Sequence, residues 1–335
     1  MKKILYFVSD HGLGHLSRSI AIMREFHDEV EFVIRNSNTQ FIEKSLPNVK
    51  IIPGKTDQGT LSQNNGISID WEKSKSAIDI WYNQFNSTII KEQEIISKIN
   101  PDLIITDVSP LPLPISKKLS IPSIVISNFT WLDIFSNIPG FQNNFLSELY
   151  QNASMCIQLP LSTPMSIFKN KQKIGLVSKK PTKSKIDVRK SLGIKESKFL
   201  ILINLPSNFT INVPSEPNIQ IVSTGAKINS ANSIMIQPWV EGQNLIASSD
   251  LVVSKCGYGM ISECLTNGVP IKFLMDNKHP EQKAMNDELK SLEINSLINN
   301  WDSGEISLNL DVSNLPPIKR DNYEAKEIIL EFLRS

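Results

Sequence analysis

Residues 251–263 read Leu-Val-Val-Ser-Lys-Cys-Gly-Tyr-Gly-Met-Ile-Ser-Glu, and this stretch decides the fold. Leu251–Ser254 is a short apolar run typical of a buried strand, and a glycine turn leads from it into a helical pattern. Gly257 and Gly259 open the backbone, and the free N–H groups at the start of the helix favour an anion such as phosphate. Glu263 lies one turn into that helix, where a carboxylate can reach a ribose diol. The alternative interpretation is that Glu263 is an acidic residue of the first helical turns that only interacts favourably with the helix dipole.

A second glycine turn lies near the N-terminus, between the apolar run Ile4–Val8 and a helix whose core stripe begins at Leu16. It matches neither the Walker A pattern nor a complete GxGxxG. Its histidines are natural general bases near neutral pH. The alternative is that the glycines only make a tight turn and the histidines cap the helix. The residues of interest in this turn are Asp10, His11, Gly12, Gly14 and His15.

The same alternation of apolar strand and amphipathic helix runs along most of the chain. Continuous apolar strands separated by helices predict parallel sheets covered on both faces. The predicted fold class is α/β, with two Rossmann-like, doubly wound domains facing a cleft, where ligands of such folds bind. We expect a first domain over 1–175, a basic linker over 176–186, a second domain over 187–320, and a helix over 321–335 that can return to the first domain.

Charge is unevenly distributed along the 335 residues, although the net charge is only +1. This near balance argues against a dedicated nucleic-acid binder. Residues 169–198 carry eleven basic and two acidic groups. Three interpretations remain open: a solvated hinge, attraction to an anionic membrane surface, or attraction of a diphosphate. The apolar stretch 131–145 is either core helix or a loop that faces an acceptor or lipid.

The cysteines and the N-terminus bear on the cellular compartment. Three cysteines without a CxxC pair indicate neither a disulfide framework nor a zinc site. The first apolar run is too short for a signal peptide, and no stretch approaches the ~20 apolar residues of a membrane span. We expect a cytoplasmic protein, with peripheral attachment to the inner face of the membrane as the alternative.

Three clusters in this order resemble the GT-B nucleotide-sugar glycosyltransferases, especially the UDP-glycosyltransferases and the bacterial N-acetylglucosaminyltransferase that completes lipid II. The first two are the glycine turns, and the third is His279–Asn286. The likeness is sharpest over Trp239–Asn286, which looks like the donor-binding signature of the UDP-glycosyltransferases. The matches there, in order, are Trp239, Cys256-Gly257, Glu263, Gly268-Val269-Pro270 and Glu281-Gln282.

The resemblance implies a role for each matching position. On the donor side, Trp239 would border the nucleotide base, Glu263 would hold the ribose, and Glu281 with Gln282 would contact the sugar. Four consecutive residues would cradle the diphosphate: Gly257, Tyr258, Gly259 and Met260. On the acceptor side, His15 would be the base and Asp107, after a later strand, would orient it as in a hydrolase triad.

The chain also departs from the family pattern. Lys255 replaces the histidine that precedes Cys-Gly, although lysine still neutralises phosphate as a point charge. Gly259 and Met260 replace a polar Asn-Ser pair, which leaves more of the phosphate binding to backbone N–H groups. The usual glycine-rich loop after the strand Phe199–Asn204 is absent, and Ser207 or Asn208 would substitute for it.

The resemblance implies an enzyme: an inverting glycosyltransferase that moves a sugar from a nucleotide diphosphate, UDP being the expected carrier, to a hydroxyl of a glycan, lipid or small-molecule acceptor. The absence of an Asp-x-Asp sequence suggests no metal. We expect no cofactor beyond the nucleotide sugar and no nucleic-acid partner. The alternatives are a non-enzymatic nucleotide-sugar-binding module or partner subunit, and a UDP-sugar 2-epimerase.

Overall fold

The computed structural model describes residues 1–136, 138, 140–141, 143–213, 216–294, 296–299, 301, 303–311 and 315–334. The chain forms two compact units. Unit 1 comprises Met1–Leu61, Ile69–Val177 and Arg320–Ser335, and unit 2 comprises Ser62–Ser68 and Ser178–Lys319. The chain therefore passes from unit 1 to unit 2 after Val177, inside the segment expected to be a linker.

Unit 1 is built on a parallel sheet. Its strands are β1 (Lys3–Val8), β2 (Glu31–Arg35), β3 (Lys50–Ile52), β4 (Leu103–Asp107), β5 (Ser123–Ser127), β6 (Met155–Gln158) and β7 (Lys171–Lys173). Its first helices are α1 (Leu13–Met23), α2 (Thr39–Ser45), α3 (Trp71–Ile99), α4 (Pro112–Lys118), α5 (Trp131–Phe135) and α6 (Asn143–Tyr150). Among the described residues the strand order is β3-β2-β1-β4-β5-β6-β7. Strands β4 and β5 are buried along their whole length, because apolar side chains point to both faces of the sheet.

Unit 2 is also built on a parallel sheet. Its strands are β8 (Phe199–Asn204), β9 (Thr210–Asn212), β10 (Ile219–Ser223), β11 (Lys227–Asn229), β12 (Ser233–Met235), β13 (Leu251–Lys255), β14 (Ile271–Leu274) and β15 (Glu305–Ser307). Its helices are α7 (Lys185–Ser191), α8 (Gln243–Ser248), α9 (Tyr258–Asn267) and α10 (Pro280–Ser291). In the described part of the unit, the main sheet has the order β12-β10-β8-β13-β14, and β11-β9-β15 form a small second sheet. The last helix of the chain, α11 (Asn322–Arg334), belongs to unit 1, where the Asn322 amide donates to the Ala21 carbonyl of α1.

These sheets confirm the predicted α/β class with two doubly wound sheets. The prediction of a solvated linker is wrong at its start, since Leu176, Val177, Ser178 and Lys179 are all buried. Ser178 hydrogen-bonds Thr266 at 2.8 Å, and the Lys179 ammonium donates to the Val240 carbonyl at 2.8 Å. The lysine-rich sequence favoured a solvated segment, but these contacts bury Ser178 and Lys179 within unit 2.

Candidate active site

Strand order determines which loops meet in unit 1. The chain leaves β1 toward β2 on one side, while β4 lies on the other side, so the order reverses between β1 and β4. Val8 pairs with Asp107 in register, and the Ser9 amide donates to the Asp107 carbonyl at 3.1 Å. The glycine turn after β1 and the Asp107 side chain therefore lie together at a topological switch point, where ligands of such folds bind.

His15 and Asp107 form a buried pair at this point. Gly12 adopts a left-handed φ of 82° and turns the chain into α1, so that His15 lies in the first turn of the helix. His15 Nδ1 is 2.9 Å from Asp107 Oδ1, and the two residues are 6% and 1% exposed. The two residues of the predicted catalytic pair are thus in direct contact, although 92 residues separate them in the chain.

Arg18 is a third member of this cluster, and no motif indicated it. It lies one turn after His15 on α1 and is 3% exposed. Its Nε donates to Asp107 Oδ2 at 2.6 Å and its Nη2 to Oδ1 at 2.5 Å, which is bidentate pairing. Nη1 also donates to the Asn128 side chain at 2.5 Å. The only sequence signal was an arginine on the buried, apolar face of a helix.

Arg18 also reaches the imidazole, because its Nη2 is 2.9 Å from His15 Nδ1. Nδ1 therefore has a carboxylate acceptor and a guanidinium donor at the same distance. Only the tautomer with a proton on Nδ1 donates to Asp107, and only that tautomer leaves Nε2 with a free lone pair. Burial alone would raise the pKa of Asp107, but the charges and hydrogen bonds of Arg18 and His15 outweigh it and hold the pKa at about 2.

The remaining polar residues of the first glycine turn have other positions. Asp10 joins loops, since its carboxylate accepts from the Ser37 backbone amide at 2.9 Å and from that of Thr56 at 3.0 Å. The His11 ring packs edge-on against Trp131, with ring centroids 5.3 Å apart. Gly12 and Gly14 have open space where a Cβ would lie. The structure thus places the His11 ring 6.5 Å from the His15 ring and directs the Asp10 carboxylate to the loops after β2 and β3, while the glycines leave room at the helix start.

Asp57 is a buried carboxylate that the motifs also missed. It is 1% exposed, and it accepts from Ser9 Oγ at 3.0 Å and from the Trp131 indole N–H at 2.8 Å. Burial raises the pKa of Asp57, and these two hydrogen bonds offset that effect only in part. No short sequence pattern surrounds Asp57, so only its contacts with the turn after β1 and with α5 reveal it.

A pocket of about 200 Å³ in unit 1 adjoins Asp57. Polar groups on its wall include Asp57, Gln58, Lys75 and Asp79. Aromatic rings form much of the remaining wall: Trp81, Tyr82, Trp131, Phe135, Phe141 and Phe145. Trp131 connects the pocket to the His15–Asp107 pair, since Phe129 packs against both Trp131, at 5.1 Å, and His15, at 5.6 Å.

The described apolar side chains of the stretch 131–145 lie in the core and along the pocket, which leaves the acceptor-facing interpretation in place. Trp131, Ile134 and Phe135 are buried in the core of unit 1, and Phe141 and Phe145 pack against the same core. These side chains are core and pocket wall and not a lipid-facing loop. Residues 137, 139 and 142 of this stretch lie outside the described residues.

In unit 2 the predicted diphosphate residues follow β13. Lys255 ends the strand and is exposed, and Gly257 is the N-cap of α9 with no side-chain cap bond. A Cβ on Gly257 would have nothing within 4 Å. Tyr258 is buried, whereas Gly259 and Met260 are half-buried in the first turn of α9. The helix start is thus open at Gly257 and carries a cation beside it, which is the arrangement that favours an anion.

The predicted ribose and sugar residues lie on α9 and α10. Glu263 is 5% exposed in the second turn of α9. Gln282 is buried, and its side-chain oxygen accepts from the Asp276 amide at 2.8 Å, so this oxygen holds the loop after β14. Glu281, in the first turn of α10, is half-buried. Register places the ends of β13 and β14 side by side, because Lys255 pairs with Leu274.

The other predicted donor residues follow strands that lie at different places in the sheet relative to β13. Ser207 and Asn208 are exposed in the loop after β8, and β8 neighbours β13 with Asn204 paired to Ser254. The structure thus places this loop beside the start of α9. Trp239, by contrast, follows β12 at the far edge of the sheet, and β10 and β8 lie between β12 and β13.

Two other features are absent from the described residues. Among the described residues, no three histidine, cysteine, aspartate or glutamate side chains are grouped so that they could hold a metal ion. No helix in the described part of the chain has both the length and the apolar character needed to cross a membrane.

Comparison with known proteins places this geometry among glycosyltransferases by fold. No family model matches the sequence. The chain is 26% identical over 305 residues to L-arabinokinase of Arabidopsis thaliana, covering 85% of the chain but only 29% of that protein's length.

Solved structures with a similar fold match this protein over nearly the whole chain, although their sequence identity to it is low. One is a UDP-glucosyltransferase from Polygonum tinctorium that glucosylates indoxyl, with a TM-score of 0.63, 11% identity, and coverage of 99% of this chain and 89% of that one. Another is the glycosyltransferase SnogD from Streptomyces nogalater, with a TM-score of 0.60, 12% identity and 99% of both chains covered. The chain therefore has the fold of the GT-B glycosyltransferases.

Proposed function

We propose that this protein is a glycosyltransferase that moves a sugar from a nucleotide diphosphate donor to the hydroxyl of a small-molecule, glycan or lipid acceptor. The observation that carries the proposal is the buried His15–Asp107 pair at the switch point of a GT-B unit, with an open helix start beside it. In this proposal unit 1 receives the acceptor and unit 2 receives the donor.

The proposed chemistry is a single displacement with inversion at the anomeric carbon. His15 Nε2 takes the proton of the acceptor hydroxyl while the hydroxyl oxygen bonds to the anomeric carbon and the bond to the diphosphate oxygen breaks. Asp107 accepts from Nδ1–H and stabilises the imidazolium that forms. Arg18 holds both carboxylate oxygens of Asp107, which fixes the carboxylate at the correct distance.

Unit 2 would stabilise the leaving diphosphate. Negative charge grows on it as the bond breaks, and preorganised donors aimed at such charge contribute strongly to catalysis. The N–H groups at the start of α9 and the exposed Lys255 are the donors we assign to it. Glu263, which is buried one turn further along, would accept from the ribose hydroxyls. A UDP carrier and independence from metal are further parts of the proposal and come from the sequence.

Release of UDP from a set of UDP-sugars, with small-molecule and lipid acceptors present, tests the proposal. His15→Ala should lose transfer and keep nucleotide binding, whereas His27→Ala, which changes an exposed histidine, should keep both. Full transfer by the His15 variant would exclude it as the base. Binding without turnover in the wild type would favour a binding module, and interconversion of UDP-sugars would favour an epimerase.

Peripheral attachment to a membrane through residues 169–198 remains a prediction. Several of its charges already have partners in unit 2: Arg189 and Lys185 both pair with Asp250, at 2.6 and 2.7 Å. Asp250 cancels one of these two positive charges, which weakens the attraction of this segment to anionic lipid. Co-sedimentation with phosphatidylserine vesicles and with neutral vesicles at matched salt distinguishes attraction to an anionic membrane surface from a solvated hinge.

A further inference from the structure

The pocket beside Trp131 has an excess of negative charge, because its wall carries two carboxylates and one ammonium group. Asp57 is buried at its wall, and its hydrogen-bond partners, Ser9 Oγ and the Trp131 indole, are neutral donors. Among the described residues, no lysine, arginine or histidine forms an ion pair with Asp57. Taking a carboxylate out of water without a cation is costly, so a positive charge brought into the pocket would be stabilised.

The other polar groups of the pocket do not remove this excess of negative charge. Lys75 is bonded to Asp79 at 2.8 Å, and both side chains are about half exposed, so they form a solvated pair of no net charge. The aromatic walls supply apolar contact area for a ring and carry no formal charge. The Asp57 carboxylate therefore favours a cation over an anion in this pocket.

The volume limits the size of the ligand. A cavity of about 150 Å³ holds one benzene molecule, and this pocket measures about 200 Å³. One ring with a short side chain fills it, and the aromatic walls match a flat or apolar ring.

We infer that this pocket binds a compact ring compound that carries one protonated amine, with the ammonium group paired to Asp57 and the ring packed among the aromatic side chains. Burial is the largest cause of the raised pKa of Asp57, and the two hydrogen bonds and the charge of His15 offset it only in part. Trp131 links the pocket to His15 through Phe129 and is also packed against His11. That the ligand is the acceptor of sugar transfer rests on the proposed function, whereas its binding does not.

Calorimetric titration with three probes of similar size tests the inference. Tyramine is the cation, 4-ethylphenol the neutral compound and 4-hydroxyphenylacetate the anion. We expect tyramine to bind at least about tenfold more tightly than 4-ethylphenol, and the anion to bind most weakly. Equal affinity for tyramine and 4-ethylphenol, or tighter binding of the anion, would overturn the inference on the wild-type protein alone.

Two matched variants locate the charge that acts. Asp57→Asn should remove the preference for tyramine while 4-ethylphenol still binds, because the ring contacts remain. Asp28→Asn removes a carboxylate that is 90% exposed and lies outside the pocket, and it should keep the preference. A preference that survives in Asp57→Asn, or is lost only in Asp28→Asn, contradicts the assignment to Asp57. No nucleotide sugar is present, so failure here is distinct from failure to detect transfer.

Discussion

Replacing Asp107 by asparagine gives a pH-dependent change in stability whose size follows from the structure. Asp107 is 1% exposed, and its pKa is about 2 in the folded protein against an ordinary value of 3.8. A lowered pKa stabilises the fold above the unfolded pKa, and that stability is lost as the pH falls through the folded pKa. The difference between the two pKa values corresponds to about 2 kcal/mol of unfolding free energy at neutral pH, of which about 1 kcal/mol is lost by pH 3.

Asp107→Asn should also cost about 3–5 kcal/mol at neutral pH, because it leaves the Arg18 guanidinium buried without its carboxylate. The stability gap between wild type and variant should therefore be widest near neutral pH and narrow between pH 5 and pH 3. Urea unfolding at several pH values measures the gap, and hydrogen exchange of peptides from β1 and β4 assigns it to unit 1.

A double-mutant cycle with Arg18→Met is the control. The double variant should lose less unfolding free energy than the two single variants lose in sum, because removing both charges leaves neither one buried alone. A gap that stays constant from pH 7 to pH 3, or additive costs in the cycle, would refute the view that Arg18 compensates Asp107.

Three further substitutions have defined outcomes. Glu92→Gln should lower the unfolding free energy by about 3–5 kcal/mol in thermal or urea unfolding, because it leaves Arg35, paired to Glu92 at 2.5 Å, buried without its partner. Gly59→Ala should destabilise by about 1–3 kcal/mol, because its Cβ would lie 2.4 Å from the His11 ring; a loss below 0.5 kcal/mol would mean that the ring moves freely. Gly257→Ala, where a Cβ meets nothing, should leave stability unchanged and weaken UDP binding in calorimetry; unchanged affinity would place the diphosphate elsewhere.

The sequence predicted those features that depend on short-range pattern. Apolar runs of strand length, such as Ile4–Val8 and Leu251–Ser254, predicted most strands of the two main sheets because a buried parallel strand needs apolar residues on both faces. Strands β6 and β7 were not predicted: β6 has only four residues, and the Lys-Gln-Lys sequence of β7 has no apolar pattern. The small sheet of unit 2 was missed because each of its strands has only three residues.

The resemblance implied the pairing of His15 with Asp107, and the parallel sheet allows it because Asp107 ends β4 beside the carboxyl end of β1, the strand that His15 follows. The role of the pair remains a prediction. The partners of this pair could not be anticipated. In the sequence, Arg18 is indistinguishable from other residues of a helix, and Asp57 lies in a loop without a motif. Their contacts join positions that are 48 to 110 residues apart in the chain.

The sequence by itself thus determined the α/β class, the strand–glycine–helix turns and the candidate base, because each follows from local pattern or from a motif. Only the tertiary structure decided that Arg18 shares the carboxylate with His15, that residues 176–179 are buried, and that Trp131 and Asp57 line an aromatic pocket. The physical reason is that burial and ion pairing depend on which distant side chains meet, and the packing of the whole unit determines those meetings.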